Sequence, residues 1–220
     1  MICVAISEPD VIKCMHTLDK VEMAEIRLDL TGFNNNDISR VFSHPAITIA
    51  TCRPGTTGDK EQLGKLKAAM MAGAHYVDIE IDAGKKQLEE IKACAHKYNT
   101  KIIISYHNFN ETPGLQDLYS IVETCYELGA DVAKIATMVN SNADNARILS
   151  LYNIQKPLVA LGMGHIGMIT RLMAPFLGAE FTFASMDEGE PTAPGQIGYG
   201  EMKQIVKFLN ETLEREKGTG

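Results

Sequence analysis

Lys134 lies in the middle of the apolar run 132–136, which predicts a buried strand. An ammonium group in such a place costs free energy unless it is paired with a carboxylate or loses its proton. A lysine that loses its proton readily is a nucleophile that forms an imine with a ketone or an aldehyde. The alternative is a structural ion pair, with Glu25, Glu80 or Asp78 as the partner, and the strand alone leaves both interpretations open.

His107 closes another apolar run, 101–107, which predicts the strand before that of Lys134. Histidine is the usual general acid–base near neutral pH. From an adjacent strand, the imidazole of His107 could reach a carbon next to an imine on Lys134. We expect the other histidines to be packed or solvent-facing, namely His16, His44, His75, His96 and His165.

Further polar side chains come at or near the ends of predicted strands. They are Glu25, Arg27 and Asp29, then Arg53, then Asp78 and Glu80, and finally Arg171 just past the seventh strand. Any one of them has a plain explanation as a solvated or ion-paired residue. Together with Lys134 and His107, the three arginines predict a site for a polar anionic carbonyl compound.

The strands that carry these residues have to lie side by side for such a site to form. The predicted strands are 2–7, 23–30, 46–51, 75–82, 101–107, 131–138, 157–163 and 180–186, with helical patterns such as 60–73, 85–98, 115–129, 142–152 and 199–215 between or after them. Alternating units with apolar strands indicate a parallel sheet covered by helices, and eight units favour a single (β/α)8 TIM barrel over an open sheet. We expect the barrel domain over 1–213 and a fraying polar tail over 214–220.

Composition narrows the class of protein. The net charge of −7, without a basic patch, argues against a nucleic-acid partner. The five cysteines are scattered and odd in number, which indicates reduced thiols and a cytoplasmic location. We expect no signal peptide and no membrane association, because no run approaches the roughly 18 apolar residues of a membrane span. Metal-ligand spacings are absent from the sequence, so we expect neither a metal ion nor a cofactor.

Two glycine-containing segments follow the last strands. The run 162–167 matches G-x-G-x-x-G, but its late position favours a tight turn before a helix over a dinucleotide site. Backbone N–H groups there, with Arg171 nearby, could bind an anion such as a carboxylate. The segment 187–196 is rich in proline and glycine and predicts a surface loop, either a plain connector or a lid over the site.

In their order and spacing, six stretches make the chain resemble type I 3-dehydroquinate dehydratase over nearly its whole length. They are EIRLD (25–29), TCR (51–53), SYHNF (105–109), DVAKIATM (131–138), GMGHIGMITR (162–171) and TAPGQ (192–196). The resemblance implies a (β/α)8 barrel that forms an imine with the C3 ketone of 3-dehydroquinate. Loss of water then gives 3-dehydroshikimate. The resemblance also implies a homodimer, and it fits both aromatic biosynthesis by the shikimate pathway and quinate catabolism.

The resemblance assigns roles by motif. Lys134 would be the imine lysine, His107 the general acid–base and Arg171 the ligand of the substrate carboxylate. The remaining substrate-binding assignments are Glu25 and Arg53 on ring hydroxyls, Arg27 beside them, and Thr192 and Gln196 closing from the lid. In this mechanism a neutral Lys134 attacks the ketone, helped by desolvation and by nearby arginine charge. His107 then removes the C2 proton and donates a proton to the departing C1 hydroxyl.

The sequence departs from the family pattern at two positions. Thr57 stands where the family has a glutamate that orients the histidine, so we expect Asp78 or Glu80 to orient His107 or turnover to be slower. Thr192 replaces a serine of the lid and keeps the hydroxyl. Two rival functions remain open: another imine-forming barrel, such as a sugar-phosphate aldolase, and a catalytically silent barrel that binds a similar ligand.

Overall fold

The carboxyl-terminal ends of eight parallel strands meet at one end of the molecule. The computed structural model describes residues 1–55, 58–187, 193 and 195–217. The strands are β1 Ile2–Ile6, β2 Met23–Arg27, β3 Ile47–Thr51, β4 Tyr76–Glu80, β5 Lys101–Asn108, β6 Val132–Met138, β7 Leu158–Met163 and β8 Thr182–Ser185. Each matches a predicted strand, with ends that differ by a few residues.

The strands form one sheet in the order β7-β6-β5-β4-β3-β2-β1-β8, in which every neighbouring pair is parallel. The two outer strands approach each other where the backbone N–H of Glu180 donates to the carbonyl of Leu158 at 3.0 Å. The sheet therefore curves into a nearly closed barrel, and the predicted (β/α)8 TIM barrel is confirmed.

Helices connect the strands on the outside of the barrel. They are α1 Val11–Leu18, α2 Leu28–Thr31, α3 Asn35–Phe42, α4 Asp59–Met71, α5 Lys85–Tyr98, α6 Leu115–Glu127, α7 Asn142–Ser150, α8 Met168–Met173 and α9 Tyr199–Lys217. Local sequence explains their starts: the Asp10 side chain accepts from the backbone N–H groups of Ile12 and Lys13 at α1, and Asn34 with Asp37 forms a capping box at α3. No helix among the described residues is long and apolar enough to cross a membrane.

Two apolar layers hold the barrel together. The outer layer packs the outward strand residues against the helices, with buried side chains such as Ile26, Phe42 and Ile104. The inner layer fills the amino-terminal half of the barrel, and the rings of Tyr76 and Phe181 pack edge to face within it. Because apolar side chains close the lower half, polar side chains that point inward collect at the carboxyl ends of the strands.

Two local features differ from the sequence-based predictions. Strand β2 ends at Arg27, so Asp29 lies on the one-turn helix α2, where its carboxylate pairs with the Arg27 guanidinium at 2.6 Å. Helix α9 continues to Lys217, into the segment 214–220 that we predicted as a tail. The glycine run after β7 is a tight turn, as expected, because a Cβ on Gly162 would lie 2.8 Å from the Cα of Gly167.

Candidate active site

Strand register brings the candidate residues to one level of the barrel. Lys134 is the register partner of Ser105, and His107 lies two residues further along β5. Since side chains alternate along a strand, Lys134, Ser105 and His107 all face the barrel interior. Glu80 is in turn the register partner of Ser105, which places its carboxylate on the same side of the sheet.

Lys134 is buried, and two carboxylates hold its ammonium group. The Nζ atom donates to Asp78 Oδ2 at 2.9 Å and to Glu25 Oε1 at 3.1 Å, and it lies 4.3 Å from the centre of the Phe183 ring. Of the three partners proposed from the sequence, the structure selects Glu25 and Asp78, whereas Glu80 contacts other groups.

The two carboxylates decide the charge of Lys134. Burial by itself lowers the pKa of this amine, but Asp78 and Glu25 outweigh burial and raise the pKa above its ordinary value. Lys134 is therefore an ammonium group in this structure. The expectation of an amine made neutral by desolvation and arginine charge is wrong here, because the carboxylates are closer than that argument assumed.

Asp78 lies at the centre of the polar cluster. Arg53 donates to it through both terminal nitrogens, at 2.8 and 3.1 Å, and the Ser105 hydroxyl donates at 2.6 Å. Burial raises the pKa of the Asp78 carboxyl, but the positive charges of Arg53 and Lys134 outweigh it and hold that pKa well below its usual range. Asp78 was one of the two carboxylates expected to orient His107, but its hydrogen bonds go to Arg53, Ser105 and Lys134.

Glu80 is the carboxylate that contacts His107. The imidazole Nδ1 lies 3.0 Å from Glu80 Oε1 and 3.1 Å from Oε2, and Nε2 lies 3.4 Å from a terminal nitrogen of Arg53. Facing a carboxylate, Nδ1 carries the hydrogen, and Nε2 is left with a lone pair. Burial and then Arg53 lower the pKa of His107, against the opposing effect of Glu80, so the ring is neutral near pH 7.

Arg171 is buried and has no ion pair within the described part of the chain. Its side chain comes from α8, and its Nε has no hydrogen-bond partner there. Burial lowers the pKa of its guanidinium to about 10, even though the charge of Glu25 acts in the opposite direction. A buried cation without a partner is costly, and an anionic ligand would remove that cost.

The cluster opens into a cavity of about 490 Å³ at the carboxyl end of the barrel. The predicted residues that line the cavity are Glu25, Arg27, Arg53, Glu80, His107, Lys134, Arg171 and Gln196. Asp78 is 1% exposed and lies behind this lining. Thr192 and Thr57 lie outside the described residues.

Sequence reasoning gave no role to two aromatic residues of the site. Phe183 of β8 places its ring beneath the Lys134 amine, and Phe109 stacks on the imidazole of His107 with ring centres 6.1 Å apart. The alternation of Phe181 and Phe183 along β8 is the signal that points Phe183 into the barrel. Phe109 is 64% exposed, and its position at the rim follows from the loop after β5 and not from any periodicity.

The described residues 193 and 195–196 belong to the segment predicted as a surface loop or a lid, and they lie at the cavity and at the turn after β7. Ala193 and Gln196 line the cavity, and Gly195 packs so closely that a Cβ on it would lie 2.2 Å from the carbonyl oxygen of Gly164. No group of three or more His, Cys, Asp and Glu side chains among the described residues is arranged to hold a metal ion.

The combination of a buried lysine, a histidine–glutamate pair and a buried arginine that has no ion pair among the described residues agrees with the comparison with known families. The family model for type I 3-dehydroquinase matches residues 2–212. The chain belongs to the type I 3-dehydroquinase family. The resemblance drawn from the motifs is therefore confirmed.

Individual relatives cover the chain almost completely. A 3-dehydroquinate dehydratase of Methanococcus maripaludis is 36% identical over 222 residues, which are 95% of this chain and 100% of the relative. That of Methanocaldococcus jannaschii is 34% identical, with 96% and 99% covered. The solved type I 3-dehydroquinate dehydratase of Clostridium difficile, with covalently modified comenic acid, has a TM-score of 0.83 at 25% identity, with 96% and 92% covered.

More distant solved structures share the fold alone. A 3-hexulose-6-phosphate synthase matches 94% of this chain and 98% of its own, with a TM-score of 0.60 and 17% identity. That likeness extends to the barrel and carries no information about the site.

Proposed function

We propose that this protein is a hydro-lyase that converts 3-dehydroquinate into 3-dehydroshikimate and water through an imine on Lys134. The observation that carries the proposal is one cavity lined by a buried lysine and a neutral histidine on adjacent strands, beside the buried Arg171. Membership of the type I 3-dehydroquinase family and the 3-dehydroquinate dehydratases among its relatives support the same reaction.

Lys134 supplies the nucleophile. One proton of the ammonium group passes to a neighbouring carboxylate, and the neutral nitrogen adds to the C3 carbonyl carbon. The carbonyl oxygen then leaves as water with that proton and a second hydrogen from the nitrogen. Ammonium and protonated imine carry the same charge, so formation of the imine from the resting ammonium releases one water and no net proton. The covalently modified comenic acid in the Clostridium difficile relative supports a covalent route in this family.

His107 supplies the acid–base chemistry. The protonated imine withdraws electrons, which makes the C2 proton acidic, and the lone pair on Nε2 accepts that proton. The imidazolium then returns a proton to the C1 hydroxyl, which departs as water while the carbon–carbon double bond forms. Water finally hydrolyses the protonated imine, releases the product and restores the ammonium group.

The other side chains hold the substrate in place. Arg171 would bind the carboxylate with two hydrogen bonds and gain the partner that the described residues do not provide. Glu25, Arg27 and Arg53 line the cavity and would bind the ring hydroxyls, and Gln196, with Thr192, would close from the lid. We assign the orientation of His107 to Glu80. Glu80 would thus replace the family glutamate, at whose position this chain has Thr57.

Borohydride trapping tests the nucleophile and the substrate together. The protein is incubated with 3-dehydroquinate, reduced with borohydride, and examined by intact mass and a peptide map. We expect a stable adduct on Lys134, none in Lys134→Ala, and an adduct without product in His107→Ala. An adduct on another residue, or normal turnover in Lys134→Ala, would contradict the proposal. Cleavage of a carbon–carbon bond in place of dehydration would favour an aldolase.

We extend the proposal to the setting of the reaction. The family resemblance supports a homodimer and a place in the shikimate pathway of aromatic amino acid biosynthesis, and the five free cysteines fit a reducing cytoplasm. Sedimentation equilibrium of the purified protein tests the dimer, which a monomeric mass would contradict.

A further inference from the structure

The Lys134 nitrogen loses hydrogens when it becomes an imine. As an ammonium group it has three N–H bonds, and in this structure it donates to Asp78 and to Glu25. As a protonated imine it has one N–H bond. Only one of the two carboxylates can keep its hydrogen bond to this nitrogen.

Asp78 is held in place independently of the lysine. Its carboxylate accepts two hydrogen bonds from Arg53 and one from Ser105, and it is 1% exposed. It does not line the cavity. Asp78 therefore stays beside the Lys134 nitrogen whether or not a substrate is attached.

Glu25 is held less firmly and faces the cavity. Apart from the contact with Lys134, its carboxylate accepts a hydrogen bond from the Thr51 hydroxyl at 2.9 Å. Its side chain lines the cavity beside Arg27. A carboxylate in this position can exchange the lysine for a hydroxyl of the substrate.

We infer that Asp78 is the counter-ion that keeps the nitrogen of the Lys134 imine protonated, and that imine formation frees the Glu25 carboxylate to bind substrate. This inference rests on the proposed function of the same site. The two hydrogens that leave with the carbonyl oxygen as water come from the nitrogen, and the hydrogen that remains points to Asp78. Charge is conserved, since the cation beside Asp78 changes from ammonium to protonated imine.

The arrangement couples imine formation at Lys134 to binding of the substrate by Glu25. The imine withdraws electrons strongly only while it is protonated, and a buried carboxylate at hydrogen-bond distance favours the protonated form. Glu25 becomes available at the step that attaches the ring. Imine formation therefore adds a contact between Glu25 and the ring before His107 removes the C2 proton.

Two reducing agents distinguish the states of the imine, because cyanoborohydride reduces the protonated imine selectively and borohydride reduces both forms. We would measure adduct formation with 3-dehydroquinate by intact mass across a pH series, in the wild-type protein and in Asp78→Asn. We expect the wild-type cyanoborohydride yield to persist into alkaline buffer. In Asp78→Asn its alkaline limb should move to lower pH by about 1 to 3 units, the range that a close opposite charge accounts for.

Glu25→Gln is the matched control for the loss of one carboxylate. It should shift the limb less than Asp78→Asn does and act mainly by raising KM. An equal or larger shift in Glu25→Gln would overturn the assignment, as would an unchanged limb in Asp78→Asn. Failure of the proposed function would look different, since neither reagent would then give an adduct in the wild-type protein.

Asp78→Glu keeps the charge and should restore most of the wild-type limb. Circular dichroism shows whether each variant is folded. If the Asp78 variants do not fold, the wild-type series still decides, because a cyanoborohydride yield that falls well below the borohydride yield at neutral pH contradicts a counter-ion at Asp78.

Discussion

Glu80 and His107 form a pair in which the carboxylate fixes the tautomer of the ring. Since Nδ1 faces Glu80, the lone pair lies on Nε2, on the side of Arg53. Glu80 also favours the imidazolium form, which the proposed reaction requires when His107 takes the C2 proton, although burial and Arg53 keep the resting pKa of His107 low. The pair is therefore neutral at rest and able to accept a proton.

Glu80→Gln should reduce turnover and move the pH profile. Removal of the carboxylate lowers the pKa of His107 further, so the acid limb of kcat/KM should move to lower pH. We expect kcat to fall by up to about 100-fold, a part of the roughly 10²–10⁴-fold that general acid–base catalysis contributes. Steady-state kinetics over a pH series measures both effects, with Glu90→Gln on the surface of α5 as the control. An unchanged acid limb would show that Glu80 does not act through His107.

We expect the buried Arg171 to lower the free energy of unfolding and to increase the affinity for an anionic substrate. Its guanidinium is buried without an ion pair in the described part of the chain. Arg171→Met should therefore raise the free energy of unfolding by about 1 kcal/mol or more, since an apolar side chain avoids the cost of a buried charge. The same variant should raise KM at least tenfold. Urea unfolding and kinetics measure the two effects, with Arg40→Met on α3 as the control.

A destabilised Arg171→Met would mean that this guanidinium has a stabilising interaction in the free protein. Loss of stability and of binding together would point to a structural arginine. The opposite signs are what separate a ligand-binding residue from one that supports the fold.

Sequence reasoning identified these residues but not their partners. The apolar run around Lys134 predicted a buried strand, and the order of the strands placed His107 on the neighbouring one. Which of Asp78 and Glu80 contacts His107 depends on how the Arg53 side chain lies against β4 and β5. No sequence pattern predicts those contacts. The charge of Lys134 was missed for the same reason, because it depends on distances to Glu25 and Asp78.

At the scale of the elements, Gly195 of the predicted loop packs against Gly164 in the turn after β7. Gly195 has a φ of +76°, and a Cβ there would lie 2.2 Å from the Gly164 carbonyl oxygen. Gly195→Ala should therefore displace the predicted lid from the cavity and raise KM by about tenfold or more. It should also lower the free energy of unfolding. Kinetics and urea unfolding of the same preparation measure the two effects.

Gly178→Ala is the matched control for the backbone strain. Gly178 also has a positive φ, +94°, but nothing lies within 4 Å of the position of its Cβ. It should lose stability and keep KM. Equal KM values in the two variants would show that the contact between Gly195 and Gly164 plays no part in binding.

Helix and strand positions were largely predictable, whereas their ends were less so. Strand β2 was extended to residue 30 because the apolar and polar alternation continues through Asp29, although the chain turns into α2 after Arg27. The positive φ of Gly32, +70°, ends that short helix, and this turn was not recognised.

At the scale of the whole molecule, the polar cluster ties together five consecutive strands. Glu25 on β2, Asp78 on β4 and Lys134 on β6 are joined directly, and Thr51 and Ser105 supply the hydrogen bonds from β3 and β5. The apolar layer holds the other end of the same strands. The polar cluster thus holds the strands together as well as forming the site. The free energy of unfolding should therefore depend on whether Glu25 and Asp78 are protonated.

The free energy of unfolding should therefore fall in acid. The positive charges of Lys134 and Arg53 outweigh burial and hold the pKa values of Glu25 and Asp78 below those of the unfolded chain. The unfolded chain then binds more protons as the pH falls, so this contribution is present above the unfolded pKa values and is lost progressively below about pH 5. Urea unfolding from pH 7 downward measures the slope. Asp78→Asn should be less stable at pH 7 by up to about 3 to 5 kcal/mol, because it removes one of the two carboxylates that contact Lys134 and one of the two that contact Arg53, and it should lose less stability with acid. Parallel curves for the two proteins would mean that other carboxylates control acid unfolding.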